Sequence, residues 1–189
     1  MPLKIHYPKK NGKHRRKLLV AQGKCDNIAK VTVTLVNKAT GQAVPGGQLL
    51  VANNTKVWGF RIGNLSLGDY TLTVTQTNSP AITETADFTV DPLPAPAPGL
   101  APTITAPASG DDVAQLFYPF GTSNAALTQC TFSGNGQTVN ALSTVQGPDV
   151  NGDWSATVDA NACPAGGGYQ LTVANATAPA TANNLTVTS

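Results

Sequence analysis

The sequence contains no long apolar run. Nowhere do about 18 apolar residues follow one another, so there is no candidate membrane-spanning helix and no membrane insertion is expected. The opening stretch MPLKIHYPKKNGKHRRK also lacks the apolar segment of a secretory signal, so export by that route is not encoded in it. The expectation is therefore either a virion protein released by lysis or a piece of a longer exported protein.

Only two histidines, His6 and His14, are present, and none of the three cysteines stands in a CxxC pair, which leaves too few soft ligands for a zinc or redox site. No Gly-x-Ser-x-Gly motif accompanies the histidines, and a nucleophile needs an oriented base. Gly166-Gly-Gly168 leads into a strand pattern rather than a helix, so it is not a phosphate loop. Asp149-Val-Asn-Gly-Asp153 has alternating oxygen ligands, yet lacks the sixth-position glycine and twelfth-position acid of an EF-hand loop. It reads as a turn. No enzymatic activity and no cofactor are expected.

Aromatic residues make up 6% of the 189, enough for modest cores and better suited to two small domains than to one large one. The order of landmarks supports that division. Gly12 and Gly110, Gly23 and Gly121, Trp58 and Trp154, Tyr70 and Tyr169, and Val90 and Val187 stand 98, 98, 96, 99 and 97 residues apart. A near-constant offset along the whole chain is the mark of a duplicated module. It places the basic N-terminal stretch where the second copy has its opening strand and loop.

The second half holds no Lys or Arg. All 12 lie in residues 1–91, against five acids, for a net +7, whereas residues 92–189 carry five acids and no cation, for −5. Seven cations fall between Lys4 and Lys17, and such a cluster steers docking onto an acidic surface. The candidate docking residues are Lys9, Lys10, Lys13, Arg15, Arg16 and Lys17. Specific nucleic-acid reading is not expected, because the stretch offers only Tyr7, His6 and His14 beside the charges. Between the halves, Asp91 to Ala101 carries four prolines that cannot join a sheet and favour an extended spacer. The expected division is 1–91, a linker at 92–101, and 102–189.

Within each copy, alternation of period two dominates. Val31, Val33 and Leu35 alternate with Thr32 and Thr34, and Leu72 and Val74 with Thr71 and Thr73. This pattern predicts strands over 3–6, 18–21, 29–37, 48–52, 57–62, 70–76 and 86–90. In the second copy it predicts strands over 103–106, 115–120, 127–133, 139–143, 153–158, 169–174 and 184–188. No helical periodicity competes. The fold class is all-β, two antiparallel sandwiches of about seven strands each. Trp58 and Trp154, at matching places, read as core residues. Cys130 matches Val33 and should point into the second core. A Cys130 to Cys163 bridge is allowed, as is a pair of unlinked thiols, and Cys25 is a spare.

Trp58-x-Phe with Leu65-x-Leu-Gly-Asp-Tyr-Thr-Leu-Thr-Val74, and Gly152-Asp-Trp-Ser155 with Gly168-Tyr-Gln-Leu-Thr-Val173, resemble bacterial and phage immunoglobulin-like (Ig-like) domains. The resemblance implies tandem Ig-like sandwiches joined by the Pro-rich linker. A Tyr before alternating Leu and Val can lay its ring on the core and bond back through its hydroxyl. The antibody-type disulfide has no counterpart, because Leu72 and Leu171 follow the tyrosines by two. Such domains recur on phage virions and bacterial surfaces. The leading expectation is a non-catalytic decoration protein on a virion surface, its basic domain docked on an acidic capsid and its second domain free for host-surface or glycan contact. The alternatives are a fragment of a bacterial cell-surface adhesin and a self-assembling fibre subunit held by +7 meeting −5.

Overall fold

The computed structural model describes all residues except 1–2, 15–18, 27–29, 51–55, 64, 78–79, 93–95 and 189. It divides into two compact units, Met1–Leu93 and Pro94–Ser189. Each is an antiparallel sandwich of the Ig-like type.

The first unit contains β1 (Lys4–Tyr7), β2 (Gly12–His14), β3 (Leu19–Lys24), β4 (Val31–Asn37), β5 (Gln48–Leu50), β6 (Val57–Ile62), β7 (Gly68–Gln76) and β8 (Ile82–Val90). One sheet runs β1-β3-β6-β5 and the other β2-β8-β7-β4. This is the strand order of an immunoglobulin sandwich, with a parallel β2–β8 pair added where the chain crosses from the first sheet to the second. Alternation explains the layering. On β7, Tyr70, Leu72 and Val74 are buried while Asp69, Thr71, Thr73 and Thr75 face outward. Trp58, Phe60, Leu35 and Phe88 complete the core.

The second unit contains β9 (Thr103–Ala106), β10 (Asp112–Ala114), β11 (Leu116–Phe117), β12 (Phe120–Thr122), β13 (Gln129–Gly134), β14 (Gln137–Asn140), β15 (Asp153–Ser155), β16 (Val158–Asp159), β17 (Gly166–Ala174) and β18 (Pro179–Thr188). Its sheets are β15-β12-β9 and β10-β18-β17-β13-β14, with β11 and β16 forming a separate pair. β10 again lies parallel to β18.

Several local expectations differ from what is observed. Residues 12–14 were expected in a loop and form β2, because β8 supplies a parallel partner 76 residues away. The single strands expected over 115–120 and 153–158 are each broken, since β11 pairs with β16 while β12 pairs with β15. The strand expected over 139–143 stops at Asn140, whose side-chain oxygen accepts from the Leu142 N–H (3.0 Å) and starts a 3-10 turn over Leu142–Thr144.

The copies also differ in their fourth strand. After β13, Asn135 (φ 48°) and Gly136 (φ 75°) form a two-residue turn that sends β14 straight back along β13. After β4 the return is a single bridge, Val36 opposite Ala43, and Pro45-Gly46-Gly47 then carries the chain to β5 in the other sheet.

Both tryptophans are fully buried and anchored identically. Trp58 Nε1 donates to the Lys4 carbonyl and Trp154 Nε1 to the Thr103 carbonyl, each at 3.1 Å. Both tyrosine corners are present as well. The Tyr70 hydroxyl donates to Ser66 O (2.9 Å) and the Tyr169 hydroxyl to Pro164 O (2.8 Å).

All three cysteines are buried and free, so no bridge joins Cys130 to Cys163. Cys130 faces Val173 on β17, as Val33 faces Val74 on β7, and serves as an apolar filler in the strand. Burial pushes the Cys130 thiol up to about 11 from its ordinary 9.0. Below pH 9 the thiol is protonated in both folded and unfolded chains. As pH rises from there towards 11, the unfolded chain sheds a proton that the native core keeps, so stability falls with rising pH. Cys130→Val should leave the unfolding free energy from urea denaturation at pH 7 within about 1 kcal/mol of the parent. The same variant should lose roughly 1–3 kcal/mol less than the parent between pH 8 and pH 11. An unchanged alkaline loss would show that Cys130 is not its source.

Candidate docking surface

The basic segment is built on the β1–β2 turn, where the chain crosses between sheets. Gly12 N–H donates to Lys9 O (2.9 Å) and Asn11 N–H to Asp87 O (2.6 Å), with Asn11 in the left-handed region at φ 58°. Asparagine tolerates that region and closes the turn. Lys9 and Lys10 are exposed at its tip and make no ion pair among the described residues. Lys13 projects from β2 and pairs with Asp91 at 2.8 Å, so its charge is answered within the unit. The Asp91 hydrogen bond and charge push the Lys13 ammonium above its ordinary range, which keeps it protonated. Arg15, Arg16 and Lys17 lie outside the described residues.

Beside the turn is an open groove of about 230 Å³ lined by Asn11, Lys38, Asp69, Asp87, Phe88 and Thr89. Its carboxylates are occupied. Asp87 accepts from the Thr71 hydroxyl (2.6 Å) and from Lys38 Nζ (3.1 Å), and Asp69 accepts from the Thr89 hydroxyl (2.6 Å). The Thr71 bond first, then Lys38 with Lys10 nearby, holds the Asp87 carboxyl below its ordinary range. The groove is a hydrogen-bonded polar network of two carboxylates and one lysine, and it adds no net positive charge to the turn beside it. Lys38 belongs to this surface although sequence reasoning did not single it out. Its partner Asp87 is 49 residues away, and the β4–β7 and β7–β8 pairings together bring the two ends near each other.

Asp149 and His14 both make contacts within their own units. One Asp149 carboxylate oxygen accepts from the N–H groups of Asn151 and Asp153, each at 2.9 Å, which is a turn cap. His14 is buried with its ring edge-on to Tyr7 at 5.1 Å and tilted against Phe88 at 6.1 Å. Among the described residues no three His, Cys, Asp or Glu side chains gather in a way that could hold a metal ion.

No protein-family model matches the sequence, and no curated protein matches it either. Several solved structures are similar at low identity. The titin domains z1z2 in complex with telethonin are 15% identical over 99% of this chain and 96% of that one, with a TM-score of 0.33. The N-terminal Ig1-2 module of the Drosophila receptor protein tyrosine phosphatase DLAR is 16% identical over all of both chains, TM-score 0.35. CopC from Methylosinus trichosporium OB3b is 19% identical over 48% of this chain and 92% of that one, TM-score 0.37. Likenesses this distant carry no argument, and the Ig-like assignment rests on the strand order and the paired Trp and Tyr anchors.

Proposed function

We propose that this chain is a non-catalytic decoration module of a particle surface, such as a phage capsid, and that its basic first unit docks on an acidic protein face. The observation that carries the proposal is the complete segregation of charge. Every Lys and Arg lies in the first 91 residues. Two of them, Lys9 and Lys10, are exposed and make no ion pair among the described residues, on a turn fixed by backbone hydrogen bonds. A positive field held on a rigid turn raises the on-rate to an anionic surface without ordering a flexible arm. The acidic second unit, with no cation to attract the same surface, stays in solvent and keeps the assembly soluble.

The test is joint reversal of Lys9, Lys10, Lys13, Arg15, Arg16 and Lys17 to Glu, followed by co-sedimentation with particles purified from the native source. The reversed protein should stay in the supernatant, and raising salt from about 0.05 M to about 0.5 M should release the parent protein. Unaltered co-sedimentation of the reversed protein discards the proposal. Recovery of the parent in the cell envelope rather than on particles favours a cell-surface adhesive role.

A further inference from the structure

The two copies treat one sheet edge differently. In the second unit the outer side of β13 is covered by β14 from Gly134 to Thr131, and Ala141 N–H then reaches Cys130 O at 2.8 Å. In the first unit the matching strand β4 is covered at one end only. Asn37 N–H donates to Gln42 O (3.0 Å) and Val44 N–H to Leu35 O (2.7 Å), after which Pro45 carries the chain away. Alternation along an antiparallel strand puts the N–H and C=O of Val31 and Val33 on the same outer side as those of Leu35 and Asn37. Among the described residues no strand pairs with that side over Val31–Thr34. The edge also lacks the features that usually protect one, having no proline, bulge or charge within β4.

β14 is the outer strand of its own sheet and is equally free of charge, reading Gln-Thr-Val-Asn. Ala141 bonds inward to Cys130, so by alternation the backbone groups of Thr138 and Asn140 point outward. Both residues are exposed.

We infer that the β4 edge of one molecule takes the β14 edge of a second copy as an antiparallel strand, with Val31 facing Asn140 and Val33 facing Thr138, so that molecules associate head to tail. Charge selects this pairing. β4 belongs to the half carrying +7 and β14 to the half carrying −5, whereas β4 on β4 or β14 on β14 would bring like charges together. The contact is heterologous, with a different surface on each side, so each molecule offers one edge of each kind to other copies. It does not depend on the particle docking proposed above. With only a few backbone hydrogen bonds, association is weak and sensitive to salt.

Sedimentation velocity of the full chain tests it. At about 20 mM salt the weight-average mass should rise with protein concentration, and at about 0.5 M salt it should return towards the monomer. Proline is tolerated at an edge where the lost N–H faces out of the ladder, so Val33→Pro and Thr138→Pro should each keep the far-UV circular dichroism of the parent and lose self-association. Mixed in equal amounts they should form a heterodimer and nothing larger, since one retains β14 and the other β4. A monomer at every concentration and salt overturns the inference, as does a Thr138→Pro variant that still associates with itself. If Val33→Pro fails to fold, Thr138→Pro alone decides.

Discussion

Trp154→Ala is expected to unfold residues 94–189 under conditions where residues 1–93 stay native. The indole is fully buried and is among the largest side chains of the second core, beside Phe132, Tyr169 and Leu171. Its removal subtracts the transfer energy of the largest apolar side chain and leaves a void, a loss of about 3–5 kcal/mol for a buried Trp or Phe. The Thr103 carbonyl also loses the indole N–H that it accepts, and that bond helps hold β9 against the sandwich. A domain of this size has roughly 5–15 kcal/mol to lose in total, so the variant sits at or below the edge of stability at 37 °C. The design of the chain makes the readout clean. With Trp154 gone, Trp58 is the only tryptophan left, so tryptophan emission follows the first unit alone. Thermal circular dichroism should show an early loss of β signal while the Trp58 transition stays near the parent's. A drop of less than about 1 kcal/mol in the second unit would mean that the indole is a passenger in that core.

The repeat made most of this architecture legible before any coordinate. Tyr70 and Tyr169 followed by alternating Leu and Val identify a strand with one buried face, and the hydroxyls bond back as that pattern implies. The strand over 57–62 is read with its observed bounds because Trp58, Phe60 and Ile62 alternate onto one face and fill the core. Other features depend on partners that are far away along the chain. β2 is three residues of Gly-Lys-His with no periodicity, and it exists because β8 lies parallel to it. The answered charges were hidden for the same reason, since Lys13 meets Asp91 across 78 residues. That contact divides the basic cluster into a lysine held by its own fold and Lys9 and Lys10 at the turn, which make no ion pair among the described residues. The different fourth strands were written in short punctuation, Asn135-Gly136 against Pro45-Gly46-Gly47, whose consequence appears only when the copies are compared.

Gly121→Ala should cost nearly as much as losing the tryptophan, although it adds a single methyl group. Gly121 on β12 faces Trp154 on β15 and Ile104 on β9, in the middle of the three-stranded sheet. A Cβ built there lands on the Thr103 carbonyl oxygen, the same atom that accepts the Trp154 N–H. These obstacles cannot swing aside, because the nearest atoms, the Thr103 carbonyl and Ile104 Cα, are all backbone. The first unit repeats the device, with a Cβ on Gly23 meeting the Lys4 carbonyl and lying 2.7 Å from Trp58 Nε1. Neither glycine has a positive φ, so its role is to leave space for a close carbonyl and not to supply a special backbone angle. Forcing β9 outward costs about 1–3 kcal/mol for overpacking, and a displaced carbonyl leaves a buried indole N–H unpaired for about 1–3 kcal/mol more. Gly167→Ala is the control, since its Cβ would meet nothing nearer than the Thr186 hydroxyl at 3.6 Å, and it should be neutral within about 0.5 kcal/mol. Urea denaturation of Gly121→Ala, Trp154→Phe and the double variant separates the two costs. If the methyl acts through the indole bond, the double variant loses less than the sum of the singles by at least about 0.5 kcal/mol. A Gly121→Ala protein as stable as the Gly167→Ala control would show that β9 can retreat freely, and the shared glycine, carbonyl and tryptophan would then be a coincidence of the two copies rather than the clamp that holds each sandwich shut.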